Sequence, residues 1–294
     1  MEKFEELFAA YNCDAITDEQ VKSEVSRILA EKYDSNNTPE VWKQCLNQID
    51  LTTLCADDTD ERVQTMARRV NEFGEHYAGI PNVAAICVYP AMVPFVKTAL
   101  KAPGVGIASV AAGFPASQTF VEIKVAEVAM AVMEGATEID VVISVGKMLQ
   151  GRYQEVYDEL CELKAACRDA HLKVILETGE LKSASVIKKA SLIAMQAGAD
   201  FIKTSTGKIA VNATPEATYV MCQAIKEWHE KTGAVVGYKP AGGVRSTEEA
   251  VQHYTLVKEI LGEEWLNNRR FRFGASSLAN NLLTSITGKQ EKYF

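Results

Sequence analysis

The sequence predicts a single (β/α)8 barrel, the TIM barrel of the α/β class, preceded by a helical extension. Three observations carry this expectation. From about residue 48 a strand-like apolar run is followed by a helical pattern, and the alternation recurs eight times. The runs are almost continuously apolar, as in a parallel sheet covered on both faces. No stretch rich in Gly, Pro or Ser divides the chain, and ~250 residues is an ordinary length for one such barrel. An open doubly wound sheet is the competing arrangement, but no G-x-G-x-x-G follows the first strand.

The elements follow in order. Residues 1–47 read as helices: Phe4, Leu7, Phe8 and Tyr11 recur at i, i+3, i+4, i+7, as do Val21, Val25, Ile28 and Leu29. Thr17 with Gln20 forms a capping-box pattern, and Thr38-Pro39 is an N-cap followed by proline at the first helical position. The barrel is assigned to 48–288, with strands at 48–54, 83–89, 105–111, 138–144, 172–178, 200–205, 234–240 and 270–276. Helical patterns between them include 121–133, 154–168, 186–197, 215–228 and 248–261. Residues 289–294 form a tail, where Tyr293 is expected to fray. Asp57 and Asp58 are expected to cap the first barrel helix.

Composition narrows the function classes. The 294 residues are 47% hydrophobic and 24% charged, with net charge −8 and no basic stripe. Nucleic acid and anionic membrane are therefore disfavoured as partners. Seven cysteines without a C-x-x-C fit reduced thiols, and MEKFEELF lacks a signal peptide's apolar core. A cytoplasmic protein is expected. Four scattered histidines lack ligand spacing, so neither a metal nor another cofactor is expected.

The chemistry collects at strand ends, where such barrels place reactive groups. Strand alternation puts Phe201, Lys203 and Ser205 on one face, with Ile202 and Thr204 on the other. Val235, Gly237 and Lys239 share a face, and Gly237 leaves room for a ligand or a neighbour. Asp50, Cys87, Asp140 and the set Lys173, Ile175, Glu177 point the same way. Burying an ammonium is costly unless it is paired or deprotonated. Two lysines on adjacent strands repel by about 2.8 kcal/mol at ~6 Å and an effective dielectric of ~20. That repulsion favours a neutral amine, the form carbonyl chemistry through a Schiff base requires. For Asp50 and Lys173, a structural ion pair weighs equally with a functional role.

Phosphate is the second theme. TSTGK (204–208), GGVRST (242–247) and GASSL (274–278) close the last three strands with glycines that expose backbone amides. Gly207, Lys208, Gly242, Gly243, Ser276 and Ser277 are the candidate anion ligands. Cys87 and Thr204 are expected to line the pocket, Cys87 by default as a small buried thiol.

At DLTTL (50–54), NVAAICVYP (82–90), EIDVV (138–142), KVILETGELK (173–182), AGADFIKTSTGK (197–208), GYKPAGGVR (237–245) and RFGASSL (272–278), the chain closely resembles the 2-deoxy-D-ribose-5-phosphate aldolases. KTSTGK together with KPAGG is highly specific for that family of class I aldolases. The resemblance implies a metal-free barrel cleaving deoxyribose 5-phosphate to acetaldehyde and glyceraldehyde 3-phosphate. It also implies Lys203 as the Schiff-base lysine, Lys239 as the lysine that lowers its pKa and shares in proton transfer, and Asp140 as the proton-transfer carboxylate. Asp50 and Lys173 match a supporting relay, and the three glycine- and serine-bearing loops match a phosphate pocket. The expected partner is thus a small sugar phosphate, and the expected assembly a homo-oligomer, specifically a dimer. The extension and the final Phe294 depart from shorter bacterial members, which end in tyrosine. Competing readings are another metal-free Schiff-base sugar-phosphate lyase or isomerase, or a non-catalytic sugar-phosphate sensor.

Overall fold

The computed structural model describes residues 2–294. Three helices come first: α1 (Glu2–Ala10), α2 (Asp18–Asn36) and α3 (Pro39–Asn47). The capping box forms, with Gln20 N donating to Thr17 Oγ1 at 3.3 Å and Thr17 N to Gln20 Oε1 at 3.2 Å. Thr38 Oγ1 accepts from Val41 N, with Pro39 at the first turn. Such caps are worth about 1 kcal/mol each. The apolar stripe of α1 buries Phe4 and Phe8, which meet the ring of Tyr153. α2 and α3 lie on the outer helices of the barrel, where Tyr254 donates to Gln44 and Asn36 donates to Thr255.

Eight parallel strands follow: β1 (Ile49–Thr52), β2 (Ala85–Val88), β3 (Gly106–Ala111), β4 (Glu138–Val142), β5 (His171–Ile175), β6 (Phe201–Lys203), β7 (Gly237–Lys239) and β8 (Phe273–Ala275). The ladder runs β7-β6-β5-β4-β3-β2-β1-β8, and parallel bridges Tyr238–Phe271 and Ala241–Gly274 close it. The chain is therefore the closed barrel expected, not an open sheet. The strands are shorter than their apolar runs, because the run continues into buried loops at either end. Residues 270–272, for example, meet β7 only through a bridge and two backbone bonds, Tyr238 N to Arg270 O and Arg272 N to Tyr238 O.

The helices are α4 (Asp60–His76), α5 (Val93–Ala99), α6 (Val121–Glu134), α7 (Val145–Leu149), α8 (Tyr153–Cys167), α9 (Thr178–Leu181), α10 (Ala184–Gln196), α11 (Pro215–Thr232), α12 (Thr247–Leu261) and α13 (Ser277–Thr287). Outward strand residues such as Ile86, Ile139, Val174, Ile202 and Tyr238 are fully buried beneath them. Between α11, α12 and β7 the Thr218 hydroxyl sits 2.7 Å from both Tyr238 Oη and His253 Nδ1.

Inside the barrel, size and charge are divided. β2 and β3 contribute small or apolar groups, Ala85, Cys87, Ala108 and Val110. The other strands contribute long charged side chains, which need that volume. Gly237 and Gly274 are part of the same accommodation. A Cβ on Gly237 would lie 2.3 Å from the Phe201 ring, and one on Gly274 would lie 3.1 Å from Lys239 Cε. The room at Gly237 is thus taken by a neighbour, not left for a ligand.

The acidic pair after β1 behaves differently from expectation. Thr59, not Asp57 or Asp58, caps α4 by accepting from Arg62 N. Asp58 instead accepts from the Thr53 hydroxyl and Cys55 N, which ties the β1 loop into a tight turn. The tail is also ordered. Tyr293 Oη donates to Arg69 O on α4 at 2.7 Å, and the Phe294 ring stacks on Phe73 at 5.4 Å. Tyr293 does not fray because Asn280 Oδ1 accepts from both terminal amides and the ring packs against Phe73 and Tyr77.

Candidate active site

Parallel register puts Asp140 beside Lys173, and Lys203 directly beside Lys239. Period-two alternation then turns all four inward, with Asp50 arriving from β1. Lys203 Nζ and Lys239 Nζ each lie 2.7 Å from the same atom, Asp140 Oδ2. Lys239 also contacts Asp50 Oδ2, which accepts from Lys173 at 2.7 Å. Lys173 touches Glu138 and stands 3.4 Å from Asp140 Oδ1. Beneath them Arg272 reaches Asp50 Oδ1 at 2.5 Å and Glu138 at 2.9 Å.

Four cationic groups therefore face three carboxylates, all of them buried. The set balances when one amine gives up its proton. Lys173 touches three carboxylates, Lys239 two and Lys203 only one. Lys203 is the group least held in its charged form. Burial lowers its pKa first, Lys239 adds to the lowering, and Asp140 opposes both. The expected lysine–lysine effect is present, but desolvation exceeds it. Burial acts on Lys239 and Lys173 too, yet their carboxylate neighbours outweigh it and hold both above the ordinary lysine range. Burial pushes Asp50 and Asp140 upward, and the surrounding ammonium groups outweigh it and keep both ionised.

Asp140 Oδ1 accepts no hydrogen bond among the described residues. The other oxygen of the same ionised carboxylate accepts from Lys203, so a base stands beside the deprotonatable amine, the arrangement carbonyl chemistry on that nitrogen needs. Cys87 is fully buried against this cluster, and burial followed by Asp140 raises its thiol pKa. It is a neutral packing group there.

Above Lys203 opens a cavity of about 350 Å³. Gly207, Lys208, Gly242, Gly243, Ser276 and Ser277 all line it, so the sequence candidates for anion binding converge on one place. Gly207, Gly242 and Gly243 have φ of 80°, 77° and 85°, the left-handed region open to glycine. Ser276 and Ser277 stand at the N-terminus of α13, whose 11 residues direct a helix dipole toward the cavity. Lys208 Nζ donates to Leu54 O at 2.6 Å across the cavity mouth. Arg62 and Arg245 add two cations at the rim.

Thr204 does not reach this cavity. Its hydroxyl faces β7, accepting from Ala241 N at 2.9 Å and donating to Ala241 O at 3.1 Å. Glu177 also leaves the face expected of it. β5 ends at Ile175, the Glu177 backbone turns left-handed with φ 58°, and its carboxylate goes to Thr206. Tyr293 is on the outer wall against α4.

Glu138 and Arg272 were not anticipated, although the same alternation carries them. Each lies two residues before an inward position, Asp140 or Gly274. Among the described residues, the one cluster with metal-ligand proximity is Cys55, Asp57 and Asp58. It lies at the mouth, and Asp58 is already committed to Thr53 and Cys55.

The sequence model described as DeoC/LacD family aldolase matches residues 44–280. The Homo sapiens deoxyribose-phosphate aldolase is 46% identical over 260 residues, covering 83% of this chain and 81% of its own. That of Mus musculus is 47% identical with the same coverage. Among solved structures, the tetrameric deoxyribose phosphate aldolase from Aeropyrum pernix aligns with a TM-score of 0.68 at 25% identity, covering 88% of this chain and 96% of that one.

Proposed function

Because the chain belongs to the DeoC/LacD family of aldolases, we propose that it cleaves 2-deoxy-D-ribose 5-phosphate to acetaldehyde and D-glyceraldehyde 3-phosphate through a Schiff base on Lys203. One observation carries the reading. A buried lysine with a lowered pKa sits 2.7 Å from an ionised carboxylate, at the floor of a cavity rimmed by backbone amides and cations.

In this reading each step falls to a residue of the site. The neutral Lys203 amine attacks the C1 aldehyde, and loss of water leaves an iminium that draws electrons from C2. Asp140, through a water, takes the C3 hydroxyl proton as the C2–C3 bond breaks, which releases glyceraldehyde 3-phosphate and leaves an enamine on Lys203. Protonation at C2 and hydrolysis release acetaldehyde. Lys239 opposes reprotonation of Lys203 and exchanges protons with Asp140 and Asp50. Asp50 and Lys173 hold that charge set in place. The loops at 207–208, 242–243 and 276–277 bind the phosphate, whose binding energy holds C1 against Lys203.

The small apolar groups on β2 and β3 suit the two-carbon fragment that becomes acetaldehyde. We also infer a homodimer. Phe120, Ile123, Met130 and Met133 are 57–77% exposed along one face of α6, and the Aeropyrum pernix protein is described as tetrameric. Seven free thiols, five of them buried, fit a reducing cytoplasm. No described helix is long and apolar enough to cross a membrane.

The test is direct. The purified chain, incubated with deoxyribose 5-phosphate, yields acetaldehyde and glyceraldehyde 3-phosphate in equal amounts. No release of either product contradicts the assignment.

A further inference from the structure

Glu177 is an acidic residue beside a cavity that is otherwise built for anions, and its backbone conformation is unfavourable. Its φ of 58° is left-handed, where a non-glycine residue is strained. An observed strain of this kind near a site asks what holds it. The neighbours on either side are pinned to β6: Leu176 N donates to Lys203 O at 2.9 Å and Thr178 N to Thr204 O at 3.0 Å. Between those pins the carboxylate is 97% buried by residue, Glu177 being 3% exposed. It accepts twice from one residue, from Thr206 N at 3.0 Å and from Thr206 Oγ1 at 2.7 Å. Thr206 Oγ1 in turn accepts from Lys208 N at 3.1 Å.

The consequence falls on the residue between. The amides of Thr206 and Lys208 are both tied down by this chain of bonds. The amide of Gly207 makes no hydrogen bond among the described residues, and Gly207 lines the cavity. Lys208 Nζ, anchored on Leu54 O, faces the same space. The turn therefore offers one backbone donor and one ammonium while its other donors are withdrawn. A carboxylate is the group that can do this, since it accepts from an N–H and an O–H of the same residue at once.

We propose that Glu177 is a positioning residue: its carboxylate, latched on Thr206, fixes the 206–208 turn so that Gly207 N–H and the Lys208 ammonium meet the substrate phosphate. The inference rests on the aldolase reading for its substrate. A role confined to stability would weaken all substrates alike. A latch on the phosphate turn acts on phosphorylated ligands selectively.

The test uses the full-length chain and the variants Thr206→Val, Thr206→Ser and Glu177→Gln, each checked for folding by circular dichroism. Two quantities are measured: kcat/KM for deoxyribose 5-phosphate relative to unphosphorylated deoxyribose, and the Kd of inorganic phosphate by calorimetry. Thr206→Val keeps the shape and removes the hydroxyl that both donates to Glu177 and accepts from Lys208. The expected result is a fall of about tenfold or more in the substrate ratio, through KM, with a matching loss of phosphate affinity. Thr206→Ser, which keeps the hydroxyl, restores both to within about threefold. Glu177→Gln retains one acceptor and falls between them. Should Thr206→Val fail to fold, the Glu177→Gln and Thr206→Ser pair makes the same comparison. A ratio in the Val or Gln variant within threefold of the parent overturns the latch, as does equal loss on both sugars or a Ser variant as weak as Val. If the parent chain releases no glyceraldehyde 3-phosphate, the aldolase reading fails, and the phosphate Kd still decides the latch.

Discussion

Lys203 and Lys239 are bound to the same oxygen, each nitrogen 2.7 Å from Asp140 Oδ2. The two nitrogens lie within twice that distance of each other, so neither can be charged without the other feeling it. Asp140 relieves the repulsion but cannot remove it. Lys239 has a second carboxylate, Asp50, and Lys203 has none. That asymmetry leaves Lys203 the amine less held in its charged form, which is why the proposed mechanism makes it the nucleophile.

Lys239→Leu removes the nearby cation and leaves Asp140 Oδ2 to Lys203, with Lys173 still beside Oδ1. Both effects raise the Lys203 pKa. The acidic limb of the kcat/KM profile should move to higher pH, with activity at neutral pH down by about tenfold or more. Lys239→Arg should keep only part of the tuning, since a guanidinium places its charge differently. An acidic limb unmoved in the leucine variant contradicts electrostatic tuning.

Ser277→Asp places a negative charge at the N-terminus of α13, beside the phosphate. At ~5 Å, with an effective dielectric between ~20 and ~40 for this exposed position, each unit of like charge costs about 1.5–3 kcal/mol. Roughly ten- to hundredfold in kcat/KM should be lost for deoxyribose 5-phosphate, and far less for deoxyribose. Equal losses would move the phosphate elsewhere.

The barrel itself was legible because its strands are unusually apolar and their spacing is regular. Inward placement of Asp50, Asp140, Lys173, Lys203 and Lys239 follows from a period of two, and so would that of Glu138 and Arg272. The same alternation sets Thr204 with the outward Ile202, against its assignment to the pocket, whereas Glu177 was not legible in this way. Thr204 bonds to a backbone one strand away, and Glu177 adopts a left-handed turn that no periodicity announces. Asp58 turns back onto its own loop, to Thr53 and Cys55, in place of a helix cap, and Tyr293 depends on the tertiary partners Arg69 and Phe73.

His253 is buried, and burial pushes its pKa down to about 4 against the opposing charge of Glu249. The folded chain keeps it neutral while the unfolded chain protonates near ~6.5. Its contribution is complete above pH ~6.5 and is lost as pH falls toward about 4, amounting to about 3 kcal/mol. Denaturant titrations at pH 7.5 and 5 should show this decline, and His253→Gln should flatten it. Parallel declines in both proteins would mean another group is responsible.

The α6 face predicts assembly. Light scattering should give twice the 32.2 kDa chain mass. Ile123→Glu with Met130→Glu should give a single-chain mass. A parent protein that is monomeric, or a double variant that remains dimeric, contradicts that surface.

Among the described residues, the extension contributes none of the charged groups at the floor or the cavity. A soluble chain beginning near Asn47 should therefore retain turnover while unfolding at lower denaturant, since α2 and α3 cover α11, α12 and α13. A folded truncation without turnover contradicts the first expectation, and unchanged stability the second.

The central claim is that Lys203 carries the covalent intermediate. Borohydride reduction in the presence of deoxyribose 5-phosphate or acetaldehyde, followed by peptide mapping, tests it most directly. A stable two-carbon adduct from acetaldehyde on the peptide containing Lys203, absent in Lys203→Leu, is the predicted result. An adduct on Lys239 or Lys208, or no adduct in a chain that still turns over substrate, would contradict the account.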